Sequence, residues 1–357
     1  MKVLIAAGGT GGHIYPGIAV AKEIMRRDET NEVLFVGTAK GLETRIVPEN
    51  GFQLSLIHSA GLKSVGFVGK IKGLGTLPQS FLEARKIIRQ FRPHVVVGAG
   101  GYVSGPVLLM AAIMGVPTMV MDSNALPGFT NRQLARFIDK AALTFEEAMP
   151  FFGKKGVVTG NPVRPEFFDI KPREIGGKIE LLIFGGSQGA KAINEAVMAA
   201  LPLIEDVKQR IAITHQTGEA MFDEVRSAYE AAGWEADIRP YISNMAEAFD
   251  RAGLIMSRAG ATTCAELVAA GKAAILIPLP TAADDHQRKN AEALVAAGAA
   301  KMILQSDLNG EQVSRELRNA IDDPSEIASM SSSSKKLGRP DAAEVVYELI
   351  DELRRTA

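Results

Sequence analysis

The sequence predicts an α/β protein built from two doubly wound parallel sheets. Three observations carry that expectation. Short apolar runs rich in β-branched residues alternate with segments of helical period along the chain. The runs are apolar at consecutive positions, as strands covered by helices on both faces must be. The pattern also restarts near the middle of the 357 residues, a length that suits two domains.

The first strand, Val3-Leu4-Ile5, feeds the loop Gly8-Gly9-Thr10-Gly11-Gly12-His13, and a helix follows with Pro16 expected in its first turn. Val33 to Val36 and Val95 to Val97 read as further strands, the latter running into the glycine cluster Gly98 to Pro106. Gly160-Asn161-Pro162-Val163-Arg164-Pro165, Lys171-Pro172-Arg173 and Gly176-Gly177 have linker composition, which places a boundary between domains 1–162 and 163–339. Beyond it, Glu180 to Phe184 feeds a second loop, Gly185-Gly186-Ser187-Gln188-Gly189, just as the first strand fed the first loop. Ile211 to Ile213, Leu254 to Met256 and Ala274 to Ile277 continue the series. Ser329 to Gly338 reads as a polar connection to a last helix, about 340–357, that packs on either domain through Val345, Leu349 and Leu353.

Composition narrows the class. Cys264 is the single cysteine, so no internal disulfide forms and a reducing compartment is expected. Val3 to Ala7 is too short for a signal peptide, and the apolar run Val107 to Met121 is broken by Gly115 and Pro117 before it reaches a membrane-spanning length. The net charge of −1 hides an asymmetry: residues 1–160 hold 18 basic against 11 acidic residues, the remainder 22 against 30. Between Lys63 and Arg92 seven basic residues face one acidic residue, Glu83. This suits an anionic surface or ligand, and no nucleic acid is expected as partner.

The first glycine loop allows close backbone approach, but Ile14 stands where a dinucleotide fingerprint needs its third glycine. The second strand also ends Gly37-Thr38 with no acidic residue for a ribose, so NAD is disfavoured; a tight turn with a solvent-exposed His13 is the alternative. The second loop offers free N–H groups and a helix's positive end to a diphosphate, and no Gly-Lys-Ser/Thr follows to make it a P-loop. Ser257 to Thr263 also leaves a strand end. There Arg258 can neutralise phosphate, while Glu266, one turn beyond Thr262, can accept both hydroxyls of a ribose. Gln287 and Asn290 share a helix face and suit sugar hydroxyls. No spaced His/Cys cluster or Asp-x-Asp clamp is present, so neither metal nor cofactor is expected.

Gly8 to His13, Gly98 to Pro106, Gly160 to Arg164, Gly185 to Gly189 and Arg258 to Glu266 together resemble, in order and spacing, the family 28 glycosyltransferases of bacterial peptidoglycan synthesis. These N-acetylglucosaminyltransferases convert lipid I into lipid II, and the likeness runs over nearly the whole chain. It implies a GT-B fold, two Rossmann-like domains facing across a cleft. The C-terminal domain would hold UDP-N-acetylglucosamine and the N-terminal domain would receive undecaprenyl-diphospho-N-acetylmuramoyl-pentapeptide. By the same resemblance Arg258, Thr262, Thr263, Glu266, Gln287, Asn290 and the backbone at Ile242 contact the donor. Ser187 and Gln188 address its diphosphate and sugar, Glu266 holds the ribose, and Thr10, Gly11, Gly12, Asn124 and Arg164 complete its surroundings. Gly9, Gly101, Tyr102 and Ser104 fall to the acceptor diphosphate.

The implied reaction is an inverting displacement in which the acceptor 4-hydroxyl attacks the anomeric carbon and UDP leaves. His13 is the candidate general base, and Asp122 competes for that role. The family usually reads His-Glu-Gln-Asn where this chain has Met121-Asp122-Ser123-Asn124. Val65, Phe67, Val68, Ile71, Leu74 and Leu77, interleaved with Lys63, Lys70 and Lys72, would rest on anionic lipids at the cytoplasmic face of the inner membrane. A core-facing helix with solvated lysines is the plainer reading of that segment. Contacts with other cell-wall synthesis proteins would fit this location. Three other functions fit the motifs: a transferase with a different lipid acceptor, a UDP-N-acetylglucosamine 2-epimerase, and a non-catalytic nucleotide-sugar-binding subunit.

Overall fold

The computed structural model describes residues 1–59, 67–171 and 177–356, without the side chains of 67–76. The chain forms two compact units, Met1–Arg164 together with Arg339–Ala357, and Pro165–Gly338.

In the first unit β1 (Lys2–Ala7), β2 (Glu32–Gly37), β3 (Gln53–Leu56), β4 (Val95–Gly100), β5 (Thr118–Asp122), β6 (Lys140–Leu143) and β7 (Gly156–Val158) form a parallel sheet ordered 3-2-1-4-5-6-7. The order reverses between β1 and β4, and ligands of such sheets bind at the strand carboxyl ends beside that reversal. The helices are α1 (Gly11–Arg27), α2 (Glu43–Glu49), α3 (Phe67–Phe91), α4 (Ser104–Ile113), α5 (Phe129–Leu134) and α6 (Met149–Phe152). Alternation along β1 assigns them to faces. Val3, Ile5 and Ala7 pack with Ile14, Ile18 and Ile24 of α1, whereas Leu4 and Ala6 pack with Ile88 of α3 and Val107 and Leu108 of α4. The β1–β4 register shifts after Ala6, so that Ala7 pairs with Gly100 and the two glycine segments leave the sheet side by side.

The second unit repeats the plan. Strands β8 (Ile179–Phe184), β9 (Ile211–Gln216), β10 (Ala236–Arg239), β11 (Leu254–Ser257), β12 (Ala273–Leu276) and β13 (Ala300–Met302) are parallel and ordered 10-9-8-11-12-13. Around them lie α7 (Lys191–Ala200), α8 (Phe222–Ala231), α9 (Met245–Arg251), α10 (Ala261–Ala270), α11 (His286–Ala296), α12 (Gly310–Asp322) and α13 (Pro324–Leu337). Leu181 and Ile183 of β8 pack with Ile193 and Val197 of α7 and Val313 and Leu317 of α12. The last helix, α14 (Ala342–Thr356), belongs to the first unit: Val346, Ile350 and Leu353 join the α1 side of its core, and Glu344 pairs with Arg27.

Two local expectations change. Pro16 lies inside α1, which starts five residues earlier at Gly11, because the glycines themselves take up the first turn. Ser329 to Leu337 is helical rather than a connection: Ser334 is buried and its hydroxyl donates to the Leu267 carbonyl at 3.2 Å, so a serine-rich sequence packs as a helix face. In the basic segment, Lys63 and Val65 and the side chains of Phe67, Val68, Lys70, Ile71, Lys72 and Leu74 lie outside the described residues; Leu77 is half-buried, and Arg85, Lys86, Arg89 and Arg92 are exposed. Among the described residues no helix is long and apolar enough to cross a membrane.

Candidate active site

In the first unit the chain leaves β1 through Gly8 and Gly9, the latter at φ +90°, a conformation that favours glycine. Gly101, at φ +81°, comes so close that a methyl group on it would stand 2.2 Å from the Gly8 carbonyl oxygen. Gly100, at φ +116°, makes the notch that receives His13: a methyl there would stand 2.2 Å from imidazole Nδ1. His13 is half-buried in this notch. Thr10 precedes α1 in an extended conformation, and its carbonyl accepts from the N–H groups of His13 and Ile14 at 3.1 and 3.3 Å. No carboxylate lies in the first turn, so the helix presents its positive end at Gly11 and Gly12. Gly9 and the exposed Tyr102 line a pocket of about 240 Å³. Arg164 stacks over Tyr15 of α1, 5.8 Å from the ring centre.

Two expected site residues in this unit turn inward. Ser104 is wholly buried; its hydroxyl accepts from the Gly100 N–H at 3.0 Å and lies 2.9 and 2.8 Å from the carbonyls of Ala6 and Gly100. It ties the ends of β1 and β4 together instead of lining the pocket. Asp122 is 4% exposed and accepts from the N–H groups of Asn124 and Gly128 at 3.0 and 3.1 Å and from Asn131 Nδ2 at 2.8 Å. Burial raises its pKa against these hydrogen bonds. The carboxylate is enclosed by its own loop, and the geometry makes Asp122 the organiser of residues 122–131. Asn124, half-buried, is held by that carboxylate.

The second unit reproduces the first loop. Gly186 has the same φ as Gly9, +90°, and α7 again opens without a carboxylate in its first turn. Ser187 and Gln188 are exposed on this loop. Its far side rests on the end of β9, for a methyl on Gly189 would meet the Thr217 carbonyl oxygen at 1.9 Å. Next along the sheet, α10 begins after Gly260 with half-buried Thr262 and Thr263, and Glu266 is half-buried one turn on. Thr262 Oγ1 is buried with no hydrogen-bond partner among the described residues. Such a hydroxyl at a helix N-terminus is suited to a ligand oxygen.

Four expected donor contacts have protein partners of their own. Arg258 donates through Nη1 to the carbonyls of Ile277 and Pro278, both at 3.2 Å, and through Nη2 to Gln305 Oε1 at 2.7 Å; partial burial lowers its pKa from the usual guanidinium value. Asn290 is fully buried and donates to the Ala259 carbonyl at 3.2 Å, so it braces the loop before α10 from behind. Gln287 accepts from the Leu279 N–H at 3.0 Å. The N–H of Ile242 donates to Gln216 Oε1 at 2.7 Å.

Gln216 is a residue that sequence reasoning missed. Its Nε2 also donates to the Gly186 carbonyl at 2.8 Å, so one buried amide joins the glycine loop to the Ile242 segment. Beside it, His215 lies 3.2 Å from both the Tyr229 hydroxyl and Asn194 Oδ1, and Asn194 Nδ2 donates to the Thr217 carbonyl at 2.9 Å. The available signal was polarity: Thr214-His215-Gln216 closes β9 after the apolar Ile211-Ala212-Ile213, at the level of the glycine loop.

Comparison with known proteins agrees with this duplicated plan. Residues 3–143 match the glycosyltransferase family 28 N-terminal domain and residues 180–346 its C-terminal domain. The chain is 45% identical over 350 residues to a UDP-N-acetylglucosamine–N-acetylmuramyl-(pentapeptide) pyrophosphoryl-undecaprenol N-acetylglucosamine transferase of Citrifermentans bemidjiense, covering 97% of this chain and 98% of the relative. It is 46% identical over 358 residues to the enzyme of the same name from Anaeromyxobacter dehalogenans, covering 99% and 94%. The crystal structure of MurG from Acinetobacter baumannii superposes with a TM-score of 0.81 at 31% identity over 98% of this chain and 99% of that one.

Proposed function

Since the chain belongs to glycosyltransferase family 28, we propose that it transfers N-acetylglucosamine from UDP-N-acetylglucosamine to N-acetylmuramyl-(pentapeptide) pyrophosphoryl-undecaprenol. The observation that carries this reading is the 45% identity to a transferase of that name across 97% of the chain. The product is a lipid-linked disaccharide of peptidoglycan synthesis, and UDP is released.

The second unit binds the donor. The positive end of α7 and the exposed N–H groups of Gly186 to Gln188 receive the diphosphate, Thr262 Oγ1 donates to a phosphate or sugar oxygen, and Glu266 accepts from the ribose hydroxyls. Arg258 contributes its field to the departing UDP while its bonds to Ile277, Pro278 and Gln305 fix the strand ends. The first unit receives the acceptor at Gly9, Gly101 and Tyr102.

In the displacement the acceptor 4-hydroxyl oxygen forms a bond to the anomeric carbon as the bond from that carbon to the UDP oxygen breaks, and the hydroxyl proton passes to the His13 imidazole. His13 suits this role because it is only half-buried in the glycine notch, whereas the Asp122 carboxylate is enclosed. Peripheral attachment at the inner membrane is part of this reading, and exposed side chains of the first unit support it. Leu82 and Ile113 are 66% and 69% exposed, and α3 carries exposed Arg85, Lys86 and Arg89. The test of the chemistry is the anomeric configuration of the product, read by proton coupling in its NMR spectrum. A β linkage is expected, and an α linkage would overturn the single displacement.

A further inference from the structure

We propose that Glu43 is a positioning residue for the acceptor-side glycine loop. The side chain is wholly buried although Glu43 is the first residue of α2, where a carboxylate ordinarily faces solvent. Its Oε2 accepts from the Gly9 N–H at 2.9 Å, and its Oε1 accepts from the N–H and hydroxyl of Thr38 at 2.8 and 2.9 Å. The return contact, from the Leu42 N–H to the Gly9 carbonyl, closes the pair at 3.5 Å.

The space for this carboxylate is made by glycine. A methyl group on Gly8, Gly37 or Gly41 would stand 2.8, 2.4 or 1.9 Å from the nearest Glu43 atom. Glu43 thus joins the end of β1 to the end of β2, and four residues around it, Gly8, Gly9, Thr38 and Gly41, also line the pocket of about 240 Å³ that Tyr102 borders. A charged acceptor of two backbone N–H groups in a water-poor site is a strong and directional anchor. It fixes Gly9 at φ +90°, and through Gly9 the entry into α1 and the place of His13 four residues on. The proposal rests on the reading that the Gly8–His13 loop serves the acceptor.

The full-length protein carrying Glu43→Gln or Gly41→Ala tests it. The amide cannot accept at both oxygens, and the alanine methyl displaces the carboxylate from its cradle without altering its charge. Hydrogen exchange is followed in peptides covering 8–13 and 37–42, alongside the Michaelis constants for UDP-N-acetylglucosamine and a lipid I analogue. Both variants are expected to exchange at least tenfold faster in those two peptides and to raise the acceptor KM about tenfold, with the donor KM within twofold of wild type. A merely structural residue would lower the amount of active protein and leave both Michaelis constants where they were. That result, or unchanged exchange in either variant, would overturn the proposal. If wild type shows no acceptor-dependent turnover, the functional reading fails, and the exchange rates still decide whether Glu43 holds the loop. Thr38→Val, which removes only the hydroxyl bond, is expected to raise the acceptor KM by about threefold; no change would count against the proposal even if Glu43→Gln fails to fold.

Discussion

The imidazole of His13 lies against the backbone of Gly100, with Nδ1 where a side chain at residue 100 would have to begin. One residue from the start of α1 and one from the end of β4 are therefore interlocked at the point where the strand order reverses. The strand register prepares this contact, since Ala7 pairs with Gly100 after a shift and brings both glycine segments out of the sheet together.

His13→Ala is expected to lower turnover by about 10²-fold or more, the size ordinarily seen when a general base is lost. Donor affinity, measured by calorimetry with UDP, should be unchanged. Turnover within threefold of wild type would remove His13 from the role.

Gly100→Ala forces a side chain into positive φ and onto the His13 ring. A cost of about 1–3 kcal/mol in unfolding free energy is expected, with at least a tenfold loss of turnover as the imidazole is pushed aside. Gly115→Ala is the control: it too has positive φ, but nothing lies within 4 Å of the added methyl, so it should cost stability alone. Equal activities for the two variants would contradict the notch.

His215 gives the stability a defined pH dependence. Burial pushes its pKa down to about 3 from 6.5, so between those values the native protein holds fewer protons than the unfolded chain. The stability it contributes is present above pH 6.5 and is lost as the pH falls towards 3, with a slope of at most about 1.4 kcal/mol per pH unit. Denaturant unfolding of wild type and His215→Gln between pH 7 and 4 should show a flatter decline in the variant. Parallel curves would mean that His215 does not titrate in this way.

Membrane attachment is tested on α3. Arg85→Glu with Arg89→Glu reverses two exposed charges, and at roughly 1 kcal/mol per basic residue near an anionic surface it should weaken binding to phosphatidylglycerol vesicles by well over tenfold. Turnover with a water-soluble acceptor should be retained. Vesicle binding equal to wild type would place the contact elsewhere.

The sequence disclosed the central strands and both glycine loops because their signals are local. Val3-Leu4-Ile5, Val95 to Val97 and Leu181 to Phe184 are buried on both faces, and Gly9 and Gly186 occupy a backbone region that favours glycine. The outer strands were harder to see. β3 and β10 are half-exposed and carry polar residues, and β7 and β13 have only three residues each, too few for any period to register. β5 was hidden in a methionine-rich apolar run. Among the site residues, exposed positions such as Ser187 and Tyr102 were reached through the family resemblance of their loops. The inward turn of Ser104, Asp122 and Asn290 is a tertiary fact, decided by which carbonyl or N–H happens to lie across from each side chain. Gln216 escaped notice for the same reason, since its two partners come from segments 30 residues before it and 26 after it.

The most direct test of the assignment is the release of UDP from UDP-N-acetylglucosamine by purified protein, with and without a lipid I analogue. Release that depends on the acceptor, with one UDP formed per disaccharide, is the expected result. Donor binding without acceptor-dependent release would contradict the transferase reading and point to an epimerase, a different acceptor or a binding subunit.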